Sequence, residues 1–320
     1  QSIIEYQKQS DSDKPIFTAW LGESLVSDGR KLFSQAKIPT FGTPEAAVEA
    51  FSFIATYHKN QALLMQSPAT AAQCCKPSDT LGARTIIESV LAEHRTLLSS
   101  AETRAIMHAF GVPITPAIEV SSATQAMVAA ESLGFPVSLK INSPDLTHKS
   151  DVGGVKLNLS DVHEVRIEFT KMIERITKEN PNANILGVTV EPMFKRPYSR
   201  ELLVGVMRDP VFGPAITFGS GGTAVEVIKD RSIALPPLNQ FLANKMITDT
   251  KVSKMLKPFR GYPAANHEAI VNTLMRISDM VAQLPEIQEL DINPLFADEQ
   301  GVMAVDARIT VKSLHANHKP

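Results

Sequence analysis

Cysteine is nearly missing from these 320 residues: two occur, Cys74 and Cys75, and they are neighbours. Adjacent thiols cannot staple a long loop, and no C-x-x-C pair suggests zinc or thiol redox chemistry. No apolar run approaches the roughly 20 residues needed to span a bilayer, and the opening QSIIEYQKQSDSDK is too polar for a signal peptide. A surplus of one charge is missing too: 32 Lys and Arg stand against 34 Asp and Glu. Without a global field, nucleic-acid and membrane binding are disfavoured, and any anion site has to be built locally. Internal repeats and low-complexity tracts are also missing. What is present is apolar content, 43%, in a chain long enough for two or three domains. The expectation is a globular, cytoplasmic protein. A start without methionine, in mid-pattern, suggests a piece of something longer.

Residues 15–64 read as one αβα fragment, too small for its own core. PIFTAWL is a strand candidate and ESLVSDGRKLFSQAK has helical spacing. TPEAAVEAFSFIATYHKNQALL then opens a helix, with Thr43 as N-cap, Pro44 at the first helical position and Glu45 in the first turn. Residues 65–84 lose all periodicity and carry Pro, Ser, Thr and Gly, as an interdomain linker does. After it come an amphipathic helix from Thr85, a capping box at Ser99 and Glu102 with Gly111 as C-cap, and the strand ITPAIEV. A helix capped by Ser122 with Gln125 follows, then the strand FPVSLKI, a charged loop, the strand GVKLNL and a long helix from Asp161 to about Asn180. ILGVTVEPM, RELLVGVMRD, PAITFGS and AVEVIKD suggest a mainly antiparallel sheet. Helical stretches at roughly 238–256 and 266–283 lead to two last strands, IQELDINPLFA and VMAVDARITV.

Several constellations carry possible chemistry. In LKINSPDLTHKSDVGGV, Gly153 and Gly154 permit a nest of backbone N–H groups for phosphate, and Lys140 and Lys149 add charge. The same residues also suit a solvated hairpin loop. Lys140 lies inside an apolar strand, where a lysine on the buried face needs an anionic partner and one on the outer face is mere alternation; period alone does not decide between them. Glu191 at the end of one strand and Glu201 at the start of the next suit a nucleotide's amine or ribose, or simply solvent. Gly213, Gly219, Gly221 and Gly222 either allow a ligand to come close or turn the chain, turn-making being favoured. Asp291, Asn293 and Asp306 place oxygen ligands on paired strands, which suits Mg²⁺. The alternative is a turn at Asn293-Pro294 and a lone strand carboxylate.

Taken in order, GFPVSLKINSPDLTHKSDVGGV, VEPM, REL, RDPVFGPAITFGSGG, ALPPLN, PEIQELDINPL and VDARI resemble the ATP-grasp portion of the NDP-forming (ADP-forming) acyl-CoA synthetases, relatives of the succinyl-CoA synthetase β subunit. The resemblance covers about residues 85–312. It implies an α/β (α+β) ATP-grasp fold at 85–320, with subdomains at about 85–185 and 186–312 and nucleotide between them. TAWLGE and IPTFGTPEAAVEAF, within residues 1–64, resemble the C-terminal fragment of a flavodoxin-like succinyl-CoA-ligase domain.

The resemblance also implies roles. Lys140 contacts the nucleotide phosphates, Gly153 and Gly154 form the phosphate loop, Glu191 and Met193 line the adenine hinge, and Glu201 lies at the nucleotide. Asn293 and Asp306 bind Mg²⁺, with Asp291 in support. His148 matches a loop histidine that relays phosphate toward ADP, a task suited to neutral imidazole, or it only orders the loop. The implied reaction is acyl-CoA plus phosphate plus ADP giving carboxylate, CoA and ATP. CoA and acyl substrate then bind through domains outside this chain, as does any oligomer contact. The same architecture occurs fused to a Gcn5-related protein lysine acetyltransferase, which IALPPLNQFLANKMITDTKVSKML resembles. In that setting the region is a ligand-sensing, regulatory one.

Overall fold

In the computed structural model, which describes residues 2–9, 14–22, 24–65, 78–146, 149, 151–194, 196–222 and 230–313, the capping signals act where the sequence puts them. The chain divides into two compact units, Gln1–Ser67 and Pro68–Pro320.

The first unit contains α1 (Ser2–Gln9), β1 (Thr18–Ala19), α2 (Ser27–Gln35), β2 (Thr40–Phe41) and α3 (Pro44–Leu64). The expected strand PIFTAWL shrinks to two residues, paired in parallel with β2. Thr43 caps α3, its Oγ1 accepting from the Ala46 N–H at 3.3 Å. Phe33 and Ile38 are buried, but Leu25, Val48, Phe53 and Tyr57 stay exposed. Among the described residues this unit has no extensive core.

The second unit opens with α4 (Thr80–Ala92) and α5 (Ser100–Ala109). The first begins five residues before the expected helix, inside the stretch read as linker. Asp79 makes the earlier start favourable by accepting from the Gly82 N–H at 2.9 Å. Ser99 and Glu102 close a full capping box on α5, and Gly111 follows it at φ +68°.

β3 (Ile118–Val120), α6 (Ala123–Leu133), β4 (Val137–Asn142), β5 (Val155–Leu159), α7 (Val162–Glu179) and β6 (Gly187–Pro192) form the next segment. Its sheet has the order β3-β6-β4-β5, antiparallel at every pairing. Val137, Leu139 and Ile141 of β4 pack with Val188 and Val190 of β6 against Ala126, Ala129 and Ala130 of α6 and Val165, Phe169 and Ile176 of α7. Each such buried aliphatic side chain contributes roughly 1.5–3 kcal/mol. Together they fix the register, because a slip by one residue would send Lys140 into this core.

The larger sheet contains β7 (Arg200–Asp209), β8 (Gly213–Ser220), β9 (Arg231–Ala234), β10 (Ile287–Asp298), β11 (Gly301–Ala304) and β12 (Ala307–Val311). Its order is β11-β10-β7-β8-β9, with β12 also paired to β10. The expected strand AVEVIKD lies outside the described residues except for Asp230, and β9 begins just after it. α8 (Gln240–Thr248), a 3-10 turn at Val252–Lys254 and α9 (His267–Gln283) cover one face. The helices α4 and α5, expected with the smaller sheet, pack on this larger one instead: Ile87, Val90, Ile106 and Met107 share its core with Leu202, Val204, Ile292 and Ile309. Among the described residues no helix is long and apolar enough to cross a membrane.

Candidate nucleotide site

The uncovered face of the larger sheet and the polar edge of the smaller one meet at a chain of four charges. Lys140 leaves the side of β4 opposite Leu139 and Ile141, and its side chain is 14% exposed. Its Nζ lies 2.8 Å from Glu191 Oε2 on the neighbouring strand β6. The same Nζ lies 3.5 Å from Asp306 Oδ2, which belongs to the larger sheet. The Glu191 contact is a charge pair rather than an aligned hydrogen bond. Its other oxygen, Oε1, accepts from Arg104 Nη2 of α5 at 2.8 Å. Glu191 is 3% exposed, so both its oxygens are committed to cations and no open carboxylate oxygen faces the hinge. Burial alone would lower the Lys140 pKa; Asp306 and then Glu191 outweigh it, and the ammonium is held above its ordinary range.

The expected strand VMAVDARITV is broken at Val305 and Asp306, between β11 and β12. The break faces a bulge. Ile292 pairs with Val204 and Leu295 with Leu202, so β10 carries one extra residue there, at Asn293-Pro294. Pro294 has no N–H to give a ladder, which accounts for the irregularity. Asp291 and Asn293, two apart, point away from the core that takes Leu290 and Ile292. The bulge therefore brings Asn293 beside Asp306. Solvent reaches Asp291, yet surrounding protein and then the negative charge of Asp306 raise its pKa.

Glu201, first outward residue of β7, is exposed on the same face as Asp291 and Asn293. Gly221 and Gly222 run directly over it. The Gly221 N–H donates to Glu201 O at 2.8 Å, and the Gly222 N–H donates to Asn293 Oδ1 at 3.0 Å. A Cβ on Gly221 would collide with the Leu202 backbone, and one on Gly222 with the Glu201 carboxylate. Close approach is therefore what Gly221 provides, while Gly222, at φ +78°, also supplies a backbone conformation that favours glycine. Gly213, at φ +75° with nothing near it, is the turn.

The loop between β4 and β5 is described at 143–146, at Lys149 and from Asp151 on; His148 lies outside the described residues. Gly153 has φ +62°, and its carbonyl accepts from Arg175 of α7. The Gly154 N–H donates to Lys149 O at 2.6 Å, and its carbonyl accepts from Ile141 N at 2.7 Å. The pair thus closes the loop onto β4. Burial, and secondarily the like charge of Lys140, lowers the Lys149 pKa despite Asp306. A depression of about 630 Å³ lined by Gly153, Lys156, Met172 and Arg175 lies along α7 and does not include Lys140.

Met193 begins the crossing from β6 to β7, its N–H donating to Pro136 O at 2.9 Å. The crossing is fastened to β10 by residues that the motifs do not single out. Phe194 stacks on Phe296 with centroids 5.1 Å apart, and Arg196 reaches both oxygens of buried Asp298 at 3.2 Å. The aromatic and the arginine in MFKRPY are the only sequence signal for this hinge, and their partners lie about a hundred residues away.

Two helix-backed antiparallel sheets, joined by a fastened hinge, with a lysine of one facing carboxylates of the other, define an ATP-grasp architecture. A family model described as an ATP-grasp domain matches residues 89–311, and the chain belongs to that family. Among its relatives is the β subunit of acetate–CoA ligase [ADP-forming] I of Pyrococcus furiosus, 38% identical over 227 residues, which are 71% of this chain and 97% of that subunit. Acetate–CoA ligase [ADP-forming] I of Archaeoglobus fulgidus is 33% identical over 310 residues, 96% of this chain but 44% of the longer protein. A dinucleotide-forming acetyl-coenzyme A synthetase of Ca. Korarchaeum cryptofilum was solved with coenzyme A and Mg-AMPPCP, its phosphohistidine segment pointing towards the nucleotide site. It superposes with a TM-score of 0.63 at 35% identity, covering 72% of this chain and all of the other. The chain is thus the ATP-grasp portion of an ADP-forming acyl-CoA synthetase, an enzyme of the ligase class.

Proposed function

We propose that the chain binds ADP or ATP with Mg²⁺ between the two sheets and performs the phosphoryl-transfer part of the interconversion of acyl-CoA, phosphate and ADP with carboxylate, CoA and ATP. The observation that carries this reading is the 3.5 Å approach of Lys140 to Asp306 from opposite sheets. A cation and an anion that close across a hinge are the two partners that a metal–polyphosphate needs.

In this reading Lys140 turns its charge from Asp306 to the phosphates, and Asp306 is released toward the metal. Asp291, Asn293 and Asp306 fit Mg²⁺ by donor chemistry. They offer hard oxygens, and the pKa of Asp291, raised by burial and then by the charge of Asp306, marks negative charge that a cation relieves. Bound there, Mg²⁺ would supply neutralisation of the developing phosphate charge.

Gly153 and Gly154 shape the loop over the phosphates, Met193 lines the base at the hinge, and Glu201 meets the nucleoside. His148 relays the phosphoryl group: neutral imidazole nitrogen forms an N–P bond as the P–O bond to ADP breaks. CoA and the acyl group bind through domains outside these 320 residues, in a cytoplasmic setting. The first unit, Gln1–Ser67, belongs in this reading to a flavodoxin-like ligase domain. Its exposed apolar residues and the alignment with the longer archaeal enzyme support this.

The test is thermal stabilisation by Mg-ADP and Mg-ATP, which ligand linkage requires. The shift is expected for the native chain and not for Lys140→Ala. No shift at millimolar nucleotide would sink the reading. Labelling with γ-³²P ATP should leave acid-labile label lost in His148→Asn; acid-stable label, or none, would remove the relay.

A further inference from the structure

Arg104 has no part in the motifs, yet it is 8% exposed and sits at one end of the charge chain. Each of its three guanidinium nitrogens has an acceptor. Nε donates to Thr115 O at 2.9 Å, Nη1 donates to Ser100 Oγ, and Nη2 donates to Glu191 Oε1 at 2.8 Å. The helix that carries it is rooted in the core of the larger sheet through Ile106 and Met107. Glu191 belongs to the smaller sheet. The pair therefore crosses between the two cores, and Lys140 to Asp306 crosses back.

Charge arithmetic shows what the pair does. Glu191 has one negative charge and two cationic neighbours, each at 2.8 Å. Neither cation is fully compensated. The Lys140 ammonium retains attraction to spare, and in this structure it spends it on Asp306. Remove Arg104 and the whole carboxylate, buried and unable to find water, falls to Lys140. A lysine so captured offers little to a phosphate.

We propose that Arg104 is a positioning residue for the phosphate-binding lysine: by taking half of the Glu191 carboxylate it leaves Lys140 oriented but only half neutralised. This rests on the reading of Lys140 as a phosphate contact. It predicts an effect on the phosphate part of the ligand and not on the nucleoside, because Arg104 acts through the Glu191 carboxylate on Lys140.

The experiment is titration calorimetry of the full chain with Mg-ADP, with AMP measured by competition, so that the ratio of the two affinities isolates the phosphate contact. Arg104→Met should lower the ADP-to-AMP ratio by about tenfold, the scale of one charge-assisted hydrogen bond. Arg104→Lys, which restores a cation, should recover most of it. The double variant Arg104→Met with Glu191→Gln should recover it too, since a neutral amide at 191 sits beside Lys140 without capturing its charge. An unchanged ratio in Arg104→Met, or equal loss for ADP and AMP, overturns the proposal. If Arg104→Met does not fold, the double variant decides, because it removes the buried charge with its partner: a ratio within about threefold of native supports the proposal, and a collapsed ratio ends it. Lys140→Ala separates the two levels. If it leaves the ratio intact, the phosphate reading of Lys140 fails; if it abolishes the ratio while Arg104→Met does not, only the role of Arg104 fails.

Discussion

The two sheets of the second unit are built alike and used differently. Both are antiparallel and both bury one face under helices, but the smaller keeps β4 in unbroken register with β6 through Lys140, its irregularity falling on the β5 side, while the larger breaks its ladder at the site residues themselves. Lys140 is delivered by unbroken alternation on β4, its direction set by Val137, Leu139 and Ile141 on the other side. Asn293 and Asp306 are delivered by a bulge and an interrupted strand. A regular strand aims a single long side chain well. Bringing short oxygen ligands from adjacent strands side by side takes a local departure from the ladder, and Pro294 supplies it.

The comparison can be broken from either side. Lys140→Ala should act most strongly, lowering Mg-ADP affinity by about a hundredfold, the upper range for hydrogen bonds to charged groups, as read by calorimetry. An affinity within threefold of native would mean that the smaller sheet supplies no cation to the ligand. Asp306→Asn should cost about tenfold in the presence of Mg²⁺ and much less without it, because one ligand of an oxygen-coordinated ion is lost; equal losses in both conditions would detach the larger sheet from the metal.

Gly154→Ala sharpens the same contrast through stability. A Cβ there would press on the Ile141 side chain and the Lys149 carbonyl, an overpacking worth about 1–3 kcal/mol. Chemical denaturation should show it, whereas Gly213→Ala, strained only by its positive φ, should cost less. The smallest effect concerns α5, the helix that bears Arg104. Burial would raise the Glu102 pKa, but the hydrogen bond from Arg95 and the Ser99 backbone hold it below its ordinary value. A carboxylate with a depressed folded pKa contributes stability above its unfolded value, about 4.3, and loses it as pH falls through the folded one. Glu102→Gln should therefore be less stable than native by about 1 kcal/mol at pH 7, a typical cap contribution. That gap should close as the pH is lowered below about 4.3. A gap constant with pH would show that the charge of Glu102 plays no part.

Much of this was legible in the residues. Ser99 with Glu102, Ser122 with Gln125, and Thr43 before Pro44 mark helix starts because capping is a matter between residues three apart. Asp79 is equally local, but Gly82 and Pro77 in the same stretch read as breakers. For Gly221 the favoured reading, turn-making, misses a close approach, since the atoms that a Cβ would meet belong to Leu202, some twenty residues earlier. Glu191 illustrates the same limit: its position at a strand end was visible, its two cationic partners were not.

From the residues alone come the helix starts capped by Thr43, Ser99, Ser122 and Asp161 and the order of motifs that resembles the family. Those depend on neighbours within a few residues or on pattern. The tertiary structure decided which charges meet: Arg104 with Glu191 across 87 positions and Lys140 with Asp306 across 166. The physical reason is that a buried charge is tolerable only beside its counter-charge, and which counter-charge that is depends on how two separately packed cores come together.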